Sequence, residues 1–173
     1  PIIVAPMFLV SNSKMLIEAS NSGITGCVPA LNYRTIDELK KAIIEIKKKS
    51  NGPLGVNLIV NKFNTKMLEQ LKICIDNKVD YIITSLGNPS TVIDNCKSHG
   101  IKVFCDVVDL KYAKKVEELG ADAIIAVNNK AGGHLGPMSP EKLIPLLVEN
   151  CKIPIISAGG VSSYKELKKI LKL

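Results

Sequence analysis

A (β/α)8 barrel (a TIM barrel) carrying seven of its eight units is the fold this sequence predicts, on three observations. Short aliphatic runs alternate with amphipathic segments along the chain. Such strict alternation gives a parallel sheet with right-handed crossovers. The apolar fraction of 46% rests on Ile, Leu and Val, with no Trp, which suits strands covered on both faces. Finally, no G-x-G-x-x-G follows the first run, where an open dinucleotide-binding sheet would place it. Ala5-Pro6-Met7 stands there instead.

The strand runs are residues 2–5, 24–28, 54–60, 81–85, 102–107, 123–127 and 153–157. Between them the helices announce their ends. Thr35 with Glu38 makes a capping box ahead of Leu39, Ile43 and Ile46, and Asn51-Gly52 stops that helix. Asn88-Pro89 offers an N-cap and a first-turn proline for a helix that Gly100 ends. Asp109 caps the segment carrying Ala113, Val116 and Leu119, which Gly120 terminates. Ser139-Pro140 opens the next helix, and Ser163 with Glu166 makes a second capping box for the last. Polar and glycine residues recur after the strands, at Asn57, Gly87-Asn88, Asp106, residues 132–136 and Ala158-Gly159-Gly160. A barrel enzyme builds its site at that one face. Seven strands do not close an eight-stranded barrel, and the chain opens on Pro1 inside a strand-like run. Residues 1–173 are therefore read as a single barrel domain truncated at both ends, its eighth strand absent.

Composition excludes several classes of function. The net charge of +7 comes from lysines on polar helix faces, such as Lys40-Lys41 and Lys47-Lys48-Lys49. Without aromatic residues interleaved for base stacking, no nucleic-acid partner is expected. Cys27, Cys74, Cys96, Cys105 and Cys151 are odd in number, lack CxxC spacing and lie mostly in apolar runs. They read as buried reduced thiols of a cytoplasmic protein. No signal peptide and no membrane-spanning run is present, so no membrane partner is expected. No ligand-spaced cluster of His, Cys or carboxylates points to a metal.

Two loops carry the candidate chemistry. After the sixth run comes Asn128-Asn129-Lys130-Ala131-Gly132-Gly133-His134-Leu135-Gly136. Glycines let this backbone approach a ligand closely, beside one titratable ring expected to be buried at the reactive face. His134 is the candidate base or hydrogen-bond donor. His99, just before a helix-ending glycine, suits a helix C-terminus and carries no chemistry. After the seventh run, Ala158-Gly159-Gly160-Val161-Ser162-Ser163 leads into a capped helix, the barrel's usual phosphate position. A phosphate cradle, one histidine and few acids point to a phosphorylated cofactor carrying the difficult step.

Four motifs occur in order: Ala5-Pro6-Met7, Gly55-Val56-Asn57-Leu58, Ala131-Gly132-Gly133-His134-Leu135-Gly136 and Ala158-Gly159-Gly160. Together they resemble the nitronate monooxygenase family, formerly called 2-nitropropane dioxygenases, which use FMN. The resemblance implies an FMN-binding barrel in which Met7, Asn57, Gly132, Gly133, Gly159 and Gly160 contact the cofactor. His134 matches the family's active-site histidine, and the implied partners are a small nitronate or nitroalkane and O2. The chain departs from the family at Lys130, where many members carry Glu, and at Val127, where Gln or Glu is frequent. Lys130 is read as a substrate-binding cation for an anionic nitronate. The eighth unit, whose loop completes the family's phosphate site, is the third departure. Gly87-Asn88-Pro89 resembles the related FMN-dependent enoyl-ACP reductases, the nearest alternative. A flavin-free truncated barrel with a structural or interaction role is the alternative from a different class.

Overall fold

The computed structural model describes residues 2–173. The predicted runs become β1 (Ile3–Val4), β2 (Thr25–Pro29), β3 (Leu54–Ile59), β4 (Tyr81–Ser85), β5 (Lys102–Val107), β6 (Ala123–Val127) and β7 (Ile155–Ala158). Among the described residues seven α-helices follow them in alternation: α1 (Ser13–Asn21), α2 (Ile36–Lys49), α3 (Met67–Asp76), α4 (Ser90–Lys97), α5 (Leu110–Glu118), α6 (Pro140–Asn150) and α7 (Tyr164–Ile170). No helix among the described residues is long and apolar enough to cross a membrane.

The chain forms two compact units, Pro1–Val103 and Phe104–Leu173. In the first, β1 to β4 pair in chain order and always parallel. In the second, β5, β6 and β7 do the same. A doubly wound sheet would reverse its strand order at a switch point; here the order in each unit follows the chain. This is the incomplete (β/α)8 barrel that the alternation predicts.

Packing explains the unbroken aliphatic runs. In the first unit Val28, Val56, Leu58 and Ile82 are buried, as are Leu39, Ile43 and Ile46 along one stripe of α2; in the second unit Ile124 is buried, as are Leu143 and Leu147 of α6. Gly55 is glycine for a packing reason, since a Cβ there would lie 2.2 Å from the Tyr81 ring. That ring tucks over β3, and its hydroxyl donates to Gly26 O at 2.9 Å. Burial pushes the Tyr81 phenol well above its ordinary pKa. Cys27, Cys74, Cys96 and Cys105 are buried as expected, Cys151 half-buried.

The caps form largely where the sequence places them. The Thr35–Glu38 box closes in both directions, and Asp109 accepts from Tyr112 N–H at 2.9 Å. Several boundaries shift by a residue or two, and two of these shifts have a visible cause. Pro89 takes the N-cap position and α4 begins at Ser90, while Asn88 Oδ1 receives Ser90 N–H at 3.1 Å in an Asx turn. β7 starts two residues late because the N–H groups of Lys152 and Ile153 are diverted to the Glu117 carboxylate. Those hydrogen bonds, Lys152 foremost, hold the Glu117 carboxyl below its ordinary range.

Candidate functional site

Asn128, fully buried, organises the two loops of the second unit that the sequence singles out. Its N–H extends the sheet by donating to Ala158 O at 3.2 Å, and its carbonyl accepts from Ala131 and Gly136, both at 3.3 Å. In the side chain, Oδ1 accepts from Lys130 N–H at 2.8 Å and Nδ2 donates to Gly159 O at 3.2 Å. One buried carboxamide thus turns the chain after β6 and ties it to the turn after β7. Leaving such groups buried and unpaired costs about 1–3 kcal/mol each. An asparagine closing an apolar strand was the only signal for this role, and sequence reasoning gave it none.

Gly159 and Gly160 have φ of +115° and +74°, a region L side chains rarely adopt. A Cβ on Gly159 would lie 2.5 Å from Ala131 N and 2.8 Å from Asn128 Oδ1. One on Gly160 would lie 2.7 Å from Lys130 Cδ. The two loops meet through the space these glycines leave. Among the described residues, the N–H groups of Gly159, Gly160 and Val161 donate to no protein acceptor. Three successive free donors form the kind of backbone array that holds an anion. Ser157, two residues before Gly159, has a hydroxyl shut off from solvent and unpartnered, a polar group that the protein alone leaves unsatisfied. The free donors of residues 159–161 suit the phosphate of a phosphorylated cofactor.

The start of α7 differs from expectation. Ser163 Oγ caps Glu166 N–H at 3.2 Å. The Glu166 carboxylate turns back to accept from Ser162 N–H at 2.9 Å and from the Ser162 and Ser163 hydroxyls at 2.8 and 3.0 Å. These bonds, the Ser162 backbone foremost, hold the Glu166 carboxyl below its ordinary pKa. The protein's own carboxylate therefore occupies the helix terminus expected for phosphate. The open donors lie earlier, at residues 159–161.

The outer arm of the β6–α6 loop is different. A Cβ on Gly132 or Gly133 would meet nothing within 4 Å. His134 is exposed rather than buried, and Leu135 is 60% exposed. Among the described residues His134 makes no hydrogen bond or ion pair. The loop is pinned at its base instead. Gly136 is buried, and a Cβ on it would lie 2.3 Å from Val127 O. Asn129 N–H donates to Met138 O at 2.8 Å. The burial expected of His134 fails because nothing in the unit covers residues 132–135.

Met7 and Asn57 belong to the first unit. Met7 is 39% exposed, with its N–H on Ser11 Oγ at 3.0 Å and its carbonyl receiving Asn32 Nδ2 at 3.2 Å. Asn57 is 6% exposed and spends Nδ2 on Ile83 O at 3.1 Å and Ser85 Oγ at 2.8 Å. No group of three or more His, Cys, Asp or Glu able to hold a metal occurs among the described residues.

Comparison with known proteins places this geometry in context. A family model described as nitronate monooxygenase matches residues 62–173. The chain is 28% identical to (3aS,4S,5R,7aS)-5-hydroxy-7a-methyl-1-oxo-octahydro-1H-indene-4-carboxyl-CoA dehydrogenase of Rhodococcus jostii, over 92% of this chain and 44% of that protein. It is 27% identical to a nitronate monooxygenase of Paraburkholderia phytofirmans, over 93% of this chain and 56% of the relative. The solved structure of FabK from Thermotoga maritima superposes with a TM-score of 0.92 at 30% identity, covering 99% of this chain and 54% of the other. The chain thus spans about half the length of the relatives it matches.

Proposed function

Since the chain belongs to the nitronate monooxygenase family of oxidoreductases, we propose that its protein is an FMN-dependent enzyme oxidising alkyl nitronates with O2. The observation that carries this reading is the turn at residues 159–161, inside the matched stretch, with its three free N–H groups. Gly159, Gly160 and Val161 would hold the cofactor's phosphate, and Gly132, Gly133, Met7 and Asn57 are proposed as its further contacts. FMN bound there would supply the redox chemistry between nitronate and O2. The buried thiols fit a cytoplasmic setting.

His134 supplies the proton chemistry in this reading. A neutral nitroalkane must lose a carbon-bound proton before it can be oxidised, and the imidazole nitrogen takes that proton. A preformed nitronate needs only positioning. His134→Ala should therefore lose roughly 10²-fold or more on neutral nitroalkanes, the usual contribution of a positioned base, and far less on nitronates. Flavin uptake by the wild type, followed by absorbance and fluorescence, is measured first. No uptake overturns the FMN reading, whereas unchanged kinetics on both substrates remove His134 from it.

A second reading is favoured by the Gly87-Asn88-Pro89 turn and the likeness to FabK and to a carboxyl-CoA dehydrogenase. It is an FMN-dependent reaction on an acyl thioester, of the enoyl-ACP reductase kind. Turnover of an enoyl thioester with NADH, and none of nitronate with O2, would establish it instead.

A further inference from the structure

Lys130 occupies a position with a specific consequence for cofactor binding. Its backbone is fixed by the 2.8 Å hydrogen bond from its N–H to the buried Asn128 Oδ1. From there its stem runs along the β7–α7 turn. A Cβ built on Gly160 would lie 2.7, 2.8 and 3.3 Å from Lys130 Cδ, Cβ and Cγ. The stem thus packs against the same turn that presents the free N–H groups of residues 159–161, with the ammonium two bonds beyond Cδ. Of the other lysines of the second unit, Lys169 pairs with Glu141, Lys114 with Glu117, and Lys168 lies over the Tyr164 ring. Among the described residues Lys130 makes no ion pair. The nearby carboxylate in sequence, Glu166, is already engaged by Ser162 and Ser163.

We propose that Lys130 is a phosphate ligand, its ammonium closing over the anion that the 159–161 backbone holds. This revises the role that the sequence suggests for Lys130, a cation for an anionic nitronate. The assignment rests on the FMN reading above. The physical logic is division of labour. Backbone N–H groups fix the direction of the oxygens but carry no net charge. A compact ammonium on a flexible stem supplies the charge to balance a dianion. Gly160 matters to both, because any side chain there would displace the Lys130 stem.

The test compares FMN with riboflavin, which lacks the phosphate, by fluorescence titration of the full chain. Lys130→Met keeps the stem and removes the charge. It should weaken FMN by about tenfold, the scale of one lost charge-assisted contact, and leave riboflavin unchanged. Lys130→Arg should restore most of the FMN preference. The wild-type preference should also shrink with added salt. If Lys130→Met weakens both flavins equally, the residue acts at the ring or on the loop, and the proposal fails. It fails too if neither affinity changes while the wild type still prefers FMN; the FMN reading then survives. A wild type that binds neither flavin overturns both.

Discussion

Two glycine pairs in the second unit stand twenty-seven residues apart and serve opposite needs. Gly159 and Gly160 are glycines because the protein requires it: both have positive φ, and both lend their side-chain space to the loop after β6. Gly132 and Gly133 meet no such requirement. Their φ lies outside the left-handed region, and a methyl group on either would touch nothing. The first pair can be explained by the fold alone, the second cannot. A glycine that the fold does not need is informative about what the fold binds, because a close-approaching ligand is the remaining reason for a bare backbone.

The sharpest way to break that comparison is alanine at the first pair. Gly159→Ala must fit a methyl group 2.5 Å from Ala131 N and 2.7 Å from Ala131 Cα at a φ of +115°. Strain and overpacking together should destabilise the protein by about 2–4 kcal/mol. The midpoint of denaturant unfolding reads this directly, and a midpoint within error of the wild type would show that the two loops do not lock together.

The second pair predicts the reverse. Gly133→Ala should leave stability within about 0.5 kcal/mol, as for an ordinary surface substitution. Flavin affinity should fall several-fold if the backbone there lies against the cofactor. Unchanged affinity would return Gly133 to being a loop residue and leave the turn at 159–161 as the whole of the cradle.

The same contrast shows what a sequence can and cannot disclose. β4 and β6 were legible to the residue, because each is a continuous aliphatic run that begins just after a turn. The caps were legible too, being local: Asp109 reaches only to Tyr112. What escaped was non-local. β7 starts late because Glu117, 36 positions from Ile153, takes that residue's N–H. Asn128 drew no role of its own because its partner Gly159 is 31 positions away. The exposure of His134 depends on what stands over residues 132–135, and no local pattern encodes that. The residue types can be read from the sequence, whereas the contacts between them come from tertiary structure.

The smallest expected effect asks whether the open loop and the closed turn communicate through the helices they feed. The β6–α6 loop leads into α6 and the 159–161 turn into α7. Glu141 of α6 and Lys169 of α7 form an ion pair at 2.6 Å. The hydrogen bond from Lys169, and then the carboxyl's own backbone N–H, push Glu141 down to about 2 from an ordinary 4.5. A carboxylate whose folded pKa lies below its unfolded one adds stability above about pH 4.5, and this is lost as pH falls toward 2. Both side chains are solvent-exposed, so the contribution is small and salt-sensitive. Melting curves of the wild type and Glu141→Gln should therefore separate slightly above pH 4.5, with the wild type the more stable. They should converge as the acid side of that window is crossed. Added salt at neutral pH should close the gap in the same direction. Curves that run parallel from pH 7 to 2 would mean that the pair holds nothing together, and that the clamp at Asn128 alone joins the two loops.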